Sequence, residues 1–296
     1  MMLRDFGRTG LRVTPLGFGA MHINDERCSE AEAAQLLNEV LDLGVNLIDT
    51  ARGYGLSEER IGRHIAHRRD DYVLSTKVGY GIPGVADWTY DCIMAGVDAA
   101  LARMRCEVID IVHLHSCPLP LLERGEVTMA LQDCQRAGKL RVAAYSGDNA
   151  ELAYAIDSGA FGAVQTSISL CDQVNLAERL PAAAARGIGV IAKRPLAGAV
   201  WRHAARPEDF AEGQYWDRWK AMELTELMPG TDWTTLALRF SAHLDGVASA
   251  IVGTRQIAHF KQNLTAVAQG PLDESQLQAL HAAFTHQAQS RWEGLI

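Results

Sequence analysis

The chain reads as an α/β protein built as a (β/α)8 barrel. Short apolar runs rich in β-branched residues alternate with helix-length amphipathic stretches, the pattern of parallel strands joined by crossover helices. Eight such units follow one another without a Pro/Gly/Ser-rich linker, which favours a closed barrel over an open doubly wound sheet. The chain has 296 residues with 48% hydrophobic content, enough for one large core, and α/β barrels of this length routinely form one domain. The expectation is a single domain over 1–296, with an N-terminal hairpin and a C-terminal helix.

The opening LRDFGRTGLRVTPLGFGAM carries two glycine turns and a short apolar run at Leu16–Gly19, read as a hairpin leading into the first strand. Ser29–Leu43 is a helix, with a Ser29-x-x-Glu32 capping box, apolar Leu36, Leu37, Val40 and Leu41, and Gly44 as its stop. The second strand lies in VNLIDTARGYG (Val45–Gly55) and ends at Asp49. SEERIGRHI follows, with Ser57 as its expected helix cap. Tyr72–Val78 is the third strand, Thr89–Met104 a helix and Val108–His115 the fourth strand.

The rhythm continues through helix 127–137, strand 140–145, helix 151–156, strand 163–168, helix 176–186 and strand 189–192. Glycines at 138, 159 and 187 close the helices. After an interruption at 197–230, helix 233–244, strand 248–252 and helix 257–268 complete the series. The interruption carries Trp201, Tyr215, Trp216 and Trp219; substrate loop and packing flap are equal readings of it.

A net charge of -8 with dispersed Lys and Arg argues against a nucleic-acid surface. The N-terminus has no apolar signal region, and no apolar run approaches the ~20 residues of a membrane span. A soluble cytoplasmic protein is expected. The six cysteines form no CxxC pair and are expected to be reduced. Cys117 lies just past a strand end and reads as a small buried filler rather than a reactive thiol.

In a barrel the C-terminal strand ends converge on one face, and Asp49, Lys77 and His115 close the second, third and fourth strands, with Tyr54 just beyond the first of these. Singly, each has an ordinary structural reading: a cap, a half-buried aromatic, a surface lysine, a core histidine. Together they form a proton-donating unit. A phenol with a reference pKa of ~10 needs its anion stabilised to exchange protons near neutrality. A neighbouring ammonium does that, a carboxylate holds the ammonium in place, and an imidazole can donate to a substrate oxygen.

DTARGYG (Asp49–Gly55), STKVG and DIVHLHSCP (Asp110–Pro118) resemble the corresponding segments of the aldo-keto reductase superfamily, and the resemblance runs essentially end to end. It implies Asp49, Tyr54, Lys77 and His115 as a catalytic tetrad, with Tyr54 as general acid in carbonyl reduction or base in alcohol oxidation. It also implies a nicotinamide cofactor, with Ser146 and Gln165 at the carboxamide and Lys193, Arg194 and Leu196 on the seventh-strand segment. IVGTRQIAHFKQNL is similar to the family's adenosine-phosphate segment, which implies contacts from Gly253, Thr254, Arg255, His259, Gln262 and Asn263. Gly147 replaces the family's usual asparagine, and Lys193 and Arg194 stand where many members carry a stacking aromatic followed by serine.

A glycine turn entering a helix offers free N–H groups and a positive dipole end to phosphate. Arg255 adds a planar fork suited to a ribose 2′-phosphate, which favours NADP over NAD; His259 stands where many NADP-selective members have arginine, leaving NAD open. The pocket walls are expected from His22, Trp88 and Trp201, suiting a small aromatic or sugar-like carbonyl or alcohol. Two other readings compete: a cofactor-binding regulatory barrel without turnover, and a metal-dependent hydrolase built on His113 and His115, although the later strand ends offer no further ligand set and no metal site is expected. The oligomeric state is not readable.

Overall fold

A computed structural model describes residues 2–289 and 292–295. A two-residue-per-strand antiparallel hairpin, β1 (Arg4–Asp5) and β2 (Arg12–Val13), precedes the barrel. The barrel strands are β3 (Leu16–Gly19), β4 (Leu47–Asp49), β5 (Val73–Val78), β6 (Ile109–His115), β7 (Leu140–Ser146), β8 (Ala163–Ser167), β9 (Gly189–Lys193) and β10 (Ser249–Val252). All are parallel, and β10 pairs with β3 to close the eight-stranded ring. The barrel expectation therefore holds.

The helices are α1 (Glu30–Asp42), α2 (Ser57–His64), α3 (Tyr90–Met104), α4 (Leu119–Arg124), α5 (Glu126–Arg136) and α6 (Asn149–Asp157). They continue as α7 (Arg179–Arg186), α8 (Phe210–Ala221), α9 (Leu224–Leu227), α10 (Trp233–His243), α11 (Ile257–Ala268) and α12 (Glu274–Ala288). The capping box of α1 forms as its spacing predicts: Ser29 accepts from the Glu32 N–H while Glu32 accepts from the Ser29 N–H. Ser57 does not cap α2. It lies inside the first turn, and its hydroxyl instead bonds Thr50 and donates to the Ala20 carbonyl, at 2.8 and 2.9 Å. The helix expected from Leu176 begins only at Arg179, because Asn175 and Gln173 hold the preceding segment in buried side-chain hydrogen bonds.

Side chains on a strand alternate between faces, and here the alternation sorts the barrel interior by polarity. Leu47, Val73, Ile111, Val142, Ala163 and Ile191 point inward at the N-terminal end, where Phe6, Leu11 and Val13 of the hairpin plug the opening. One or two steps of period two further on stand Asp49, Lys77, His115, Ser146, Gln165 and Lys193. The outward-facing residues pack against the helices in a large second layer.

The 197–230 segment folds into a 3-10 turn, α8 and α9. Tyr215 and Trp219 are buried in a separate core against α10 and α12, where Trp219 meets Trp201 and Trp233 with ring centroids 5.7 and 4.7 Å apart. Packing is thus the main role of its aromatics. Among the described residues no helix is long and apolar enough to cross a membrane, and the six cysteines are free thiols. Burial pushes the Cys117 thiol up to about 12, so it carries no thiolate.

Candidate active site

The pairing register lines up the polar ends of adjacent strands. Asp49 sits opposite Ser75, Lys77 opposite His113, and His115 opposite Ser146, which is itself opposite Gln165. Lys77 Nζ lies 2.6 Å from Asp49 Oδ2 and donates to the Thr50 carbonyl at 2.7 Å. The other carboxylate oxygen of Asp49 accepts from Ser75 Oγ at 2.7 Å and from Gln165 Nε2 at 3.0 Å. Asp49 and Lys77 are each 1% exposed, so the pair survives burial because its lone pairs and protons are matched. Burial alone lowers the Lys77 pKa, but the neighbouring Asp49 carboxylate outweighs it and the net shift is upward.

Tyr54 is carried by a loop stitched to the neighbouring strand: the Thr50 and Arg52 N–H groups donate to the Ser75 and Lys77 carbonyls, and the Tyr54 N–H donates to the Ala51 carbonyl. The Lys77 ammonium lies 5.2 Å from the Tyr54 ring centroid. The Tyr54 and His115 rings meet edge to face at 6.1 Å. Burial, then the positive charges of Lys77 and Lys193, lower the His115 pKa to about 2, so its imidazole is neutral. All four side chains line a cavity of about 490 Å³ at the C-terminal ends of the strands.

The same cavity is lined by His22, Ser146, Gln165, Lys193, Arg194, Leu196 and Gly253. Ser146 Oγ donates to Gln165 Oε1 at 3.2 Å, so Gln165 bridges this serine to Asp49. Lys193 Nζ pairs with Asp148 at 3.0 Å, and the Arg194 guanidinium turns to the Leu295 carbonyl at 2.8 Å. Gly253 is required by packing: a Cβ there would lie 2.6 Å from His22 Cδ2 and 2.8 Å from the Gly19 carbonyl oxygen.

Thr254, Arg255 and His259 stand outside the cavity, on the loop into α11 and its first turn, with Arg255 and His259 exposed. The first turn of α11 has no side-chain cap. Gln262 and Asn263 open onto a different groove beside Asp232 and Thr234. Two expected wall residues are likewise absent from the cavity. Trp88 packs on Gly79 and on the edge of Tyr80, and Trp201 is taken into the tryptophan cluster of the second core.

Larger hollows lie elsewhere, one at the N-terminal rim and one beside α12. The first is crossed by Asp110, which pairs with both Arg69 and Arg141. Neither holds any of Asp49, Tyr54, Lys77 or His115. Among the described residues no group of three or more His, Cys, Asp or Glu is placed to hold a metal ion, and His113 bonds Ser75 at 3.1 Å in the closed interior. The sequence reading missed Tyr80, which bonds His115, and Asp148, which bonds Lys193. Both sit in loops beyond strand ends and carry no periodic signal.

The family profile described as the aldo/keto reductase family matches residues 15–284. L-galactose dehydrogenase of Arabidopsis thaliana is 29% identical over 280 residues, covering 90% of this chain and 88% of that protein. A 6-dehydroglucose reductase of Novosphingobium aromaticivorans is 32% identical over 149 residues, 47% of this chain and 49% of that one. Aldo-keto reductase AKR11C1 of Bacillus halodurans, solved in its holo form, superposes with a TM-score of 0.81 at 25% identity, covering 96% of each chain. With the barrel closed, the profile spanning it and Asp49, Tyr54, Lys77 and His115 gathered at its mouth, the chain belongs to the aldo/keto reductase family.

Proposed function

We propose that the protein is an NADP-preferring oxidoreductase that reduces a small aldehyde or ketone, or oxidises the corresponding alcohol, with Tyr54 as the general acid or base. The observation that carries this reading is the buried Lys77–Asp49 pair beside the Tyr54 ring. A fixed ammonium stabilises the phenolate, so the Tyr54 hydroxyl can give its proton to a developing alkoxide and recover it from an alcohol. His115, neutral and lining the same cavity, orients the carbonyl oxygen by donating a hydrogen bond to it. Asp49 keeps the lysine charged and in place.

Several features fit a nicotinamide nucleotide. Ser146 and Gln165 present a hydroxyl and an amide to the cavity, suited to a carboxamide. Gly253 lines the same cavity at its rim, and the uncapped start of α11, with Arg255 beside it, suits a phosphate group. When bound, such a cofactor supplies the hydride equivalent. Two sugar-linked relatives, the L-galactose dehydrogenase and the 6-dehydroglucose reductase, support a polyhydroxylated carbonyl compound or sugar as the first substrate class to test.

The test is a titration of the purified protein with NADPH and NADH followed by tryptophan fluorescence, then a substrate screen followed by cofactor absorbance. Tighter NADPH binding, its loss of preference in Arg255→Ala, and turnover of an aldose or its lactol are expected. Failure to bind either nucleotide overturns the proposal.

A further inference from the structure

Tyr80 stands three residues beyond Lys77, in the loop after β5. Its hydroxyl oxygen is 2.7 Å from His115 Nδ1, and its ring lies nearly parallel to the imidazole, 5.6 Å away at 21°. Tyr80 does not line the cavity, whereas His115 does. The contact occupies Nδ1, so Nε2 is the nitrogen left for the cavity.

The tyrosine is held on three sides. Trp88 meets its ring at 5.9 Å and 63°, and Trp88 is anchored by its backbone N–H, which donates to the Gly79 carbonyl at 2.8 Å. Gly79 has φ +143, and a Cβ there would lie 2.2 Å from the Trp88 ring, so this residue must be glycine for the tryptophan to seat. A Cβ on Gly53 would come within 3.2 Å of the Tyr80 hydroxyl oxygen. The glycine before Tyr54 thus lets the hydroxyl lie beneath the loop that carries the acid.

We propose that Tyr80 is a positioning residue that donates its hydroxyl proton to His115 Nδ1 and so fixes the imidazole as the Nε2–H tautomer. This rests on the reading that His115 orients a carbonyl oxygen. A carbonyl oxygen accepts hydrogen bonds, so the nitrogen facing it must carry the proton. A neutral imidazole has one N–H, and a phenol donating to Nδ1 leaves that proton on Nε2. The reverse arrangement, Nδ1–H to the phenol oxygen, would present a lone pair to the carbonyl and repel it. Burial raises the Tyr80 pKa, which keeps the donor proton on the phenol across the neutral range.

The experiment is long-range ¹H–¹⁵N correlation of ¹⁵N-histidine-labelled full-length protein, with the His115 signal identified by its loss in His115→Gln. A protonated Nε2 and an unprotonated Nδ1 in the parent protein, becoming a mixture in Tyr80→Phe, is the expected result. Steady-state rates of the same variant should show kcat reduced by about tenfold, the loss of one positioned hydrogen bond, with NADPH affinity unchanged. A protonated Nδ1 in the parent protein overturns the proposal, as does a Tyr80→Phe variant with unaltered tautomer and rate. If the tautomer is as stated but His115→Gln turns over normally, the role assigned to His115 fails while the tautomer assignment stands.

Discussion

Lys193 Nζ lies 3.0 Å from the Asp148 carboxylate, joining the end of β9 to the loop after β7 across β8. Asp148 is fully buried and also accepts from the Ser167 N–H at 2.9 Å and from Asn175 Nδ2 at 3.2 Å. Lys193 is therefore part of a built ion pair. Asp148→Ala leaves a buried ammonium without its partner and should destabilise the protein by about 3 to 5 kcal/mol. Lys193→Met leaves the fully buried Asp148 carboxylate without its counter-charge and should likewise destabilise the protein by about 3 kcal/mol or more. Urea denaturation of both singles and the double checks this; single costs that simply add in the double variant would show that the pair is not coupled.

Removal of the Tyr54 hydroxyl separates chemistry from binding. Tyr54→Phe should lower kcat by about 100- to 10,000-fold, the range for a positioned acid, with NADPH affinity nearly unchanged. Lys77→Met should abolish turnover and also destabilise the fold by about 3 kcal/mol or more, because Asp49 stays buried as an unpaired carboxylate. Stopped-flow rates and chemical denaturation read the two effects independently. Normal turnover in Tyr54→Phe would remove it from the acid role.

Gly147, which the family resemblance sets at a position usually held by asparagine, has no room for a side chain, and the reason lies in Tyr145. A Cβ on Gly147 would lie 2.3 Å from the Tyr145 hydroxyl oxygen, and Tyr145 is buried with that hydroxyl directed at the Cys117 carbonyl, 3.3 Å away. Gly147→Ala should cost about 1 to 3 kcal/mol through overpacking. The cost should shrink when Tyr145 is changed to Leu in the same chain, measured as a double-mutant cycle of thermal stability.

Acid should weaken the fold through its buried imidazoles. Burial, then the Lys77 charge, lowers His113 to about 4, and His115 is lowered to about 2. Both unfold to a reference of ~6.5, so the unfolded chain binds more protons and stability falls as pH drops below that value. Asp172 acts in the opposite sense: burial raises it to about 7, so its contribution is full below the unfolded carboxylate pKa and is lost as pH rises towards 7. Two histidines outweigh one carboxyl between about pH 4 and 6.5, so the urea midpoint should fall over that window. His113→Gln should flatten the profile; a midpoint independent of pH there would contradict these shifts.

The sequence by itself determined the barrel and the residues at its mouth. Period-two spacing puts Leu47 and Asp49, Val73 and Lys77, Ile111 and His115, and Ile191 and Lys193 on one face of each strand, with the polar member always C-terminal. Once eight parallel strands close, those polar ends must meet. The alternation and the glycine stops are local properties and are legible without coordinates.

Tertiary structure alone decided what the loops contribute. Trp88 and Trp201 read as pocket walls, but the Gly79 backbone and the Trp219–Trp233 cluster claim them. Ser57 reads as a cap, but the neighbouring Thr50 hydroxyl and Ala20 carbonyl hold its side chain. Tyr80 and Asp148 read as nothing in particular, because their partners His115 and Lys193 lie 35 and 45 residues away in the chain. Strand faces follow from backbone periodicity, whereas a loop side chain takes whichever unsatisfied group or open space the assembled barrel places beside it.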